Sequence, residues 1–162
     1  MTVETSHDFD ASFEEMYRNL TNRDFLQRKY EGVGSRNVKI TECGLDEDVF
    51  RIEWSREVPA DPPAFARKFF GEWNRLDEIM EWSLEGEAAH ADYEARIRGV
   101  PGTIRGEFDL RPVAGGCVED IVMEASVSIP LLGGKIEKLM EEDVATNLQA
   151  EYEFTVNALT GA

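Results

Sequence analysis

The sequence is short of histidine, cysteine and positive charge, and it has no long apolar run. Two histidines and two cysteines in 162 residues, with no clustered Cys/His spacing, exclude an ordinary structural zinc site, so no metal is expected. Cys43 and Cys117 stand too far apart for a metal or redox motif. Two free thiols in an intracellular protein are expected instead of a disulfide scaffold. Lys and Arg number 17 against 33 Asp and Glu, for a net charge of −16. A nucleic-acid partner would need a cationic surface and is not expected. Adhesion of the whole surface to anionic headgroups is disfavoured as well, although a local basic patch stays compatible with this balance. The N-terminus carries Glu4, Asp8 and Asp10 and no signal-like apolar segment. No stretch approaches the roughly 20 apolar residues that span a bilayer, so a cytoplasmic protein without stable membrane insertion is expected.

The common cofactor and nucleophile motifs are missing too. Gly134-Lys135 has Ile129 where a phosphate-binding loop needs its first glycine, and no Ser or Thr follows the lysine. Gly32-Val33-Gly34 lacks the third glycine of a dinucleotide fingerprint. There is no Gly-x-Ser-x-Gly turn. No cofactor and no catalytic residue is assigned.

What is present is the pattern of one folded domain over residues 1–162, with 42% hydrophobic residues. Residues 2–9 alternate, with Val3, Thr5, His7 and Phe9 on one face. Ser12 and Glu15 form a capping box for a helix carrying Phe13, Met16, Tyr17 and Leu20. Asn22 caps a second short helix with Phe25, Leu26 and Tyr30. Val38 and Ile40 suggest a strand. Phe50, Ile52, Trp54 and Val58 form the apolar face of the next, which Arg56 interrupts. Pro59, Pro62 and Pro63 end it, and Asp61 is placed to cap a short helix bearing Phe65, Phe69 and Phe70. Leu76 to Trp82 reads as a strand with Glu78 on the inward parity. From His90 to Ile129 three alternating runs separated by Val100-Pro101-Gly102 and Gly115-Gly116 read as an antiparallel meander with one wet face. Its inward positions are often small: Ala91, Ala95, Gly106, Ala125.

From Lys135 the pattern is one long helix. Leu139, Ala150, Ile136 and Phe154 form one apolar row, and Met140, Val144, Leu148, Thr155 and Leu159 another. Asp143, Asn147 and Glu151 lie between them. They either reach water at a seam or pair with sheet residues such as Arg56, or they line a cavity.

The order of strand, two short helices, six strands and long C-terminal helix resembles the START-like (SRPBCC, helix-grip) superfamily. That superfamily includes birch-pollen-allergen-like proteins, polyketide cyclases and lipid-transfer domains. The segment from Phe9 to Tyr17 is similar to its first strand-to-helix junction. Ser128-Ile129-Pro130-Leu131-Leu132-Gly133-Gly134-Lys135-Ile136-Glu137 resembles the last junction in an uncharacterised bacterial branch, the DUF2505-like proteins. Val100-Pro101-Gly102 and Gly106-Glu107-Phe108 fit the same branch. The resemblance implies an α+β helix-grip fold, with a curved seven-stranded antiparallel sheet wrapped around the C-terminal helix and a cavity between them. It implies no catalytic residue.

The expected ligand is a small apolar molecule or lipid, carried or sensed between sheet and helix. The candidate walls are Ile52, Trp54, Tyr93, Phe108, Met123, Met140, Val144 and Leu148, with His7, Asn147 and Glu151 as polar contacts. Two alternatives stay open. One is a cyclase- or hydrolase-type enzyme in which His7 and Glu151 or Asp143 exchange protons with a bound substrate. It requires the histidine and at least one carboxylate within about 3 Å of a common point or of one bridging water. The other is an interaction domain with an acidic face and a shallow cavity. Whether segment 59–70 closes the cavity or covers a sheet edge is also open.

Overall fold

The computed structural model describes residues 2–161. Seven strands form one antiparallel sheet: β1 Val3–Phe9, β2 Arg36–Asp46, β3 Val49–Pro59, β4 Trp73–Glu85, β5 Ala88–Ile97, β6 Gly102–Val113 and β7 Gly116–Val127. Their spatial order is β1-β7-β6-β5-β4-β3-β2. Two-residue turns join β2 to β3, β4 to β5 and β6 to β7, and a short loop joins β5 to β6. The longer segment 60–72 joins β3 to β4, making one meander from β2 to β7. The first strand then pairs with the last, Val3 opposite Met123 and Phe9 opposite Cys117. Helices α1 (Phe13–Leu20) and α2 (Arg23–Gly32) follow β1, and α3 (Gly133–Thr160) closes the chain. The helix-grip architecture expected from the sequence is therefore present.

The local signals act as their chemistry requires. Ser12 Oγ accepts from the Glu15 amide at 3.1 Å, and Asn22 Oδ1 from the Phe25 amide at 2.8 Å, so each short helix starts on a side-chain cap. The third expected cap is not formed. Pro63, not Asp61, precedes a single 3-10 turn at Ala64–Ala66, and no side chain caps it. Pro63 keeps the residue before it out of the α region and is itself extended, with ψ 162°, so no helix begins at Asp61. Of the aromatics here, Phe70 is buried but Phe65 is 41% exposed, so Phe65 is no part of an interior wall.

Alternation decides which residues meet α3. On β4 the inward set is Asn74, Leu76, Glu78, Met80 and Trp82, all buried. Gly102 and Gly106 keep β6 close to β7: a Cβ on Gly102 would collide with the Ser126 carbonyl, and one on Gly106 with Met123 Sδ.

The seat of α3 is polar as well as apolar. Beyond Met123, β7 has no β1 residue beside it. Two carboxylates of α3 take the amides there. Glu141 Oε2 accepts from Ala125 N at 3.1 Å and Glu137 Oε2 from Val127 N at 2.8 Å. Their i, i+4 spacing on the helix matches the i, i+2 spacing of amides on one strand edge. The outward row Lys138, Glu142, Thr146, Gln149, Glu153 and Asn157 is exposed, as the helical periodicity predicts.

Candidate functional site

Two spaces follow one another along the interface between sheet and α3. The inner chamber is about 60 Å³ and is lined by side chains from β1, α1, α2, every strand from β3 to β7, and α3. The outer groove is about 290 Å³ and lies between α3 and the β3–β4 connection. The inward rows of β3 to β6 pass from one space to the other. Val58, Leu76, Ile97 and Ile104 face the groove, whereas Trp54, Glu78, Tyr93 and Phe108 face the chamber. On α3 the change falls between Asn147 and Leu148.

A buried ion pair stands where the two spaces divide. Arg56 donates from Nε to Glu78 Oε2 at 2.8 Å and from Nη2 to Glu78 Oε1 at 3.0 Å. Its Nη1 donates to Ser35 Oγ at 3.1 Å. Tyr93 donates its hydroxyl to Glu78 Oε1 at 2.6 Å, and the guanidinium lies 4.2 Å from the Tyr30 ring centroid. This set is well satisfied, as a pair so deep must be. Beside it Lys29 Nζ reaches Glu151 Oε1 at 3.5 Å and lies 4.9 Å from the centre of the same tyrosine ring.

The chamber holds one more carboxylate than cations. Arg56 and Lys29 match Glu78 and Glu151, and Glu119, 6% exposed, is the third acid. Burial pushes its carboxyl up to about 7, against the lowering effect of Lys29. Glu119 is directly opposite His7 in the β1–β7 register. His7 is stacked on Tyr152, centroids 4.3 Å apart, and burial lowers its pKa. Two donors are left over: the indole Nε1 atoms of Trp54 and Trp82 are buried with no hydrogen-bond partner among the described residues. The walls form an aromatic chain, with Tyr30 stacked on Trp54, Trp54 beside Tyr93, Tyr93 edge-on to Phe108 and Phe108 beside Trp82.

A second polar group lies on the outer sheet face. His90, Asp92 and Glu107 bring possible ligand atoms within 4.8 Å of one another. His90 Nδ1 is hydrogen-bonded to Asp109 at 2.7 Å, which raises the pKa of the ring. The cluster is on the opposite side of the sheet from both spaces, in the solvated row that alternation assigns to His90.

The model of the family described as "Protein of unknown function (DUF2505)" matches residues 4–159. The chain belongs to the DUF2505 family. No curated protein matches this DUF2505 chain in sequence. Solved structures share its fold at low identity. The protein TTHA0849 from Thermus thermophilus is 18% identical with a TM-score of 0.65, over 98% of this chain and 99% of that one. A START superfamily protein from Mycobacterium smegmatis is 14% identical, with a TM-score of 0.59 over 98% of both chains. A point mutant of norcoclaurine synthase from Thalictrum flavum, complexed with a transition-state analogue, is 11% identical with a TM-score of 0.60, over 99% of this chain and 96% of that one. These likenesses establish the START-like fold of the DUF2505 chain.

In this DUF2505 structure His7, Ile52, Trp54, Tyr93, Phe108, Met123, Leu148 and Glu151 line the inner chamber together. Met140, Val144 and Asn147 do not join them and line the outer groove. The polar row on α3 is divided in the same way: Glu151 faces the chamber, while Asp143 and Asn147 lie along the groove. Glu151 pairs with Lys29 instead of Arg56, because Glu78 already occupies the guanidinium fork. Asp143 and His7 thus stand in different spaces and are not a proton-exchange pair. Sequence reasoning missed Lys29, Glu119 and Tyr152. The inward parity of β7, carried two residues back from Ile121, would have reached Glu119.

Proposed function

We propose that this DUF2505 protein binds a small molecule with an apolar body and an oxygen-bearing end, carrying or sensing it between the sheet and α3. The observation behind this reading is the pair of buried, unpartnered indole donors, Trp54 and Trp82, set in an aromatic wall beside an uncompensated carboxyl. An apolar core of the same shape would need none of these groups, and each unmet donor costs about 1–3 kcal/mol.

Size decides how the ligand sits. A chamber of about 60 Å³ has room for about two waters. The groove, at about 290 Å³, is near the lower bound of ordinary ligand pockets. The apolar body therefore occupies the groove against Met140, Val144 and Asn147, and the polar end points past Arg56 and Glu78 toward the chamber. Met16, Met80 and Met123 line that inner space and can repack without the loss that a branched side chain would suffer. Ile52, Tyr93, Phe108 and Leu148 complete its wall, with His7 and Glu151 among its polar contacts. The START-like neighbours support a ligand-binding domain in general and give no ligand.

Native mass spectrometry of the protein isolated from its own host tests this reading. A retained molecule, lost when Trp82→Phe and Val144→Trp are introduced, is the expected result. Protein that carries nothing, and whose melting temperature does not respond to a panel of apolar ketones, alcohols and fatty acids, would overturn it.

Glu119 favours a second reading, in which the same space performs proton transfer on the bound molecule. A carboxyl near 7 accepts and returns protons at neutral pH, and His7 is its opposite neighbour. A bound compound recovered unaltered after prolonged incubation in deuterated buffer, with no deuterium at its carbon-bound hydrogens, would remove this alternative.

A further inference from the structure

We propose that the end of the molecule formed by the β3–β4, β5–β6 and β7–α3 connections docks on an anionic lipid surface, with Phe65 and Leu131 entering the headgroup layer. Acidic residues make up 33 of 162 positions, yet residues 62–71, 95–106 and 125–136 contain none. The same three stretches carry Arg67, Lys68, Arg96, Arg98, Arg105 and Lys135.

The fold brings the three stretches to one end of the sheet. Lys135 Nζ lies 5.7 Å from the Phe65 ring centroid, joining the first to the third. Ser128 N donates to Pro101 O at 2.9 Å, joining the second to the third. The Phe69 carbonyl lies 3.8 Å from the Cβ position of Gly99, joining the first to the second. Arg96 and Arg105 pair with Glu94, but Arg67, Lys68, Arg98 and Lys135 form no ion pair among the described residues. Acids do flank the patch. Asp61 and Glu72 bound the first stretch, and Glu137, next after the third, is held by the Val127 amide.

Apolar side chains stand among these free cations. Phe65 is 41% exposed and Leu131 is 102% exposed. Leu131 is also held at φ 66°, a left-handed conformation that costs a leucine free energy and gives it no packing in return. Exposed apolar groups between unpaired cations are the composition that interfacial docking requires, since neither element alone gives more than marginal binding. An acidic polypeptide would use the cations but has no use for a leucine displayed in this way. Screening over about 8 Å at physiological salt lets this end act separately from the acidic remainder. The patch also lies next to the outer groove, whose walls include Ala60, Asp61, Pro62 and Phe70 of the β3–β4 connection.

Vesicle co-sedimentation tests the proposal with the full chain. The probes are phosphatidylcholine vesicles with and without one quarter phosphatidylglycerol, at low and at 0.15 M salt. Binding to the anionic vesicles only, weakened by salt, is expected. Lys68→Glu/Lys135→Glu should weaken it by about tenfold or more, and Phe65→Ser/Leu131→Ser should weaken it with every charge intact. Arg18→Glu/Arg28→Glu makes the same change in net charge on exposed positions of α1 and α2 and should leave binding near the parent's. Circular dichroism melts confirm that each variant is folded. The proposal falls if anionic vesicles are not bound, if neutral ones are bound equally, or if both control and patch variants lose binding alike. It falls too if the parent ignores vesicles and binds poly-glutamate through Lys68 and Lys135, which would make this an acidic-polypeptide surface.

Discussion

Arg56 and Glu78 are diagonal neighbours on β3 and β4, and each satisfies the other through two hydrogen bonds at 2.8 and 3.0 Å. They are 6% and 2% exposed, so neither charge has water to fall back on. Glu78→Leu leaves a buried guanidinium without its counter-charge and should cost about 3–5 kcal/mol. The double variant Arg56→Met/Glu78→Leu removes both desolvation penalties and should recover most of that loss. Urea denaturation of the single and double variants measures the difference. A double variant no more stable than the single one would show that the pair, not merely its balance, holds the sheet.

Glu119 makes stability depend on pH with a definite sign. Its carboxyl moves from an ordinary value of 4.5 to about 7 in the fold. Below 4.5 both the folded and the unfolded chains carry the proton, and nothing is lost. Between 4.5 and 7 the unfolded chain releases it first, so stability falls as pH rises. Above 7 the loss is complete, on the order of 3 kcal/mol. Glu119→Gln should therefore match the parent near pH 4 and exceed it at pH 8. Equal stabilities at pH 8 would mean that the buried carboxylate is compensated in the fold.

The alternation of apolar and polar residues made the sheet and its wet face legible, and Ser12 and Asn22 marked both short helices. Strand parity and helical periodicity together picked out eight of the candidate wall and polar residues, from His7 to Glu151, that line one chamber. What it could not give was pairing. Glu78 and Arg56 each looked like a defect in an apolar face, because a one-dimensional pattern does not say that two defects on adjacent strands meet. Glu141 was invisible for a related reason: its partner is a backbone amide exposed where β1 begins at Val3. The division between chamber and groove depends on side-chain volume in three dimensions, so Met140, Val144 and Asn147 could not be separated from Leu148 by periodicity.

Glu141 ties α3 to the β7 edge, and its replacement should separate hydrogen bonding from charge. The residue is 3% exposed and accepts from the Ala125 amide. Glu141→Gln keeps an acceptor at the same reach and should lose no more than about 1 kcal/mol. Glu141→Leu leaves a buried amide unpaired and should lose about 1–3 kcal/mol. Hydrogen exchange supplies the local readout. The Ala125 amide should lose protection in the leucine variant and keep it in the glutamine one. Equal protection in both would place its acceptor elsewhere.

Leu131 should set stability against docking. A leucine at φ 66° gives up roughly 1–2 kcal/mol relative to a residue without a Cβ. Fully exposed, it recovers nothing through burial. Leu131→Gly relieves that strain at the cost of a more flexible unfolded chain, and a net gain of about 0.5–1 kcal/mol is expected. The same change deletes an apolar group from the cationic end, so binding to phosphatidylglycerol vesicles should weaken as the melting temperature rises. Leu131→Asn keeps the left-handed preference with a polar side chain and should reproduce both effects. A glycine variant that is more stable and binds vesicles as well as its parent would confine Leu131 to an accident of the loop and leave Phe65 and the lysines to carry the surface.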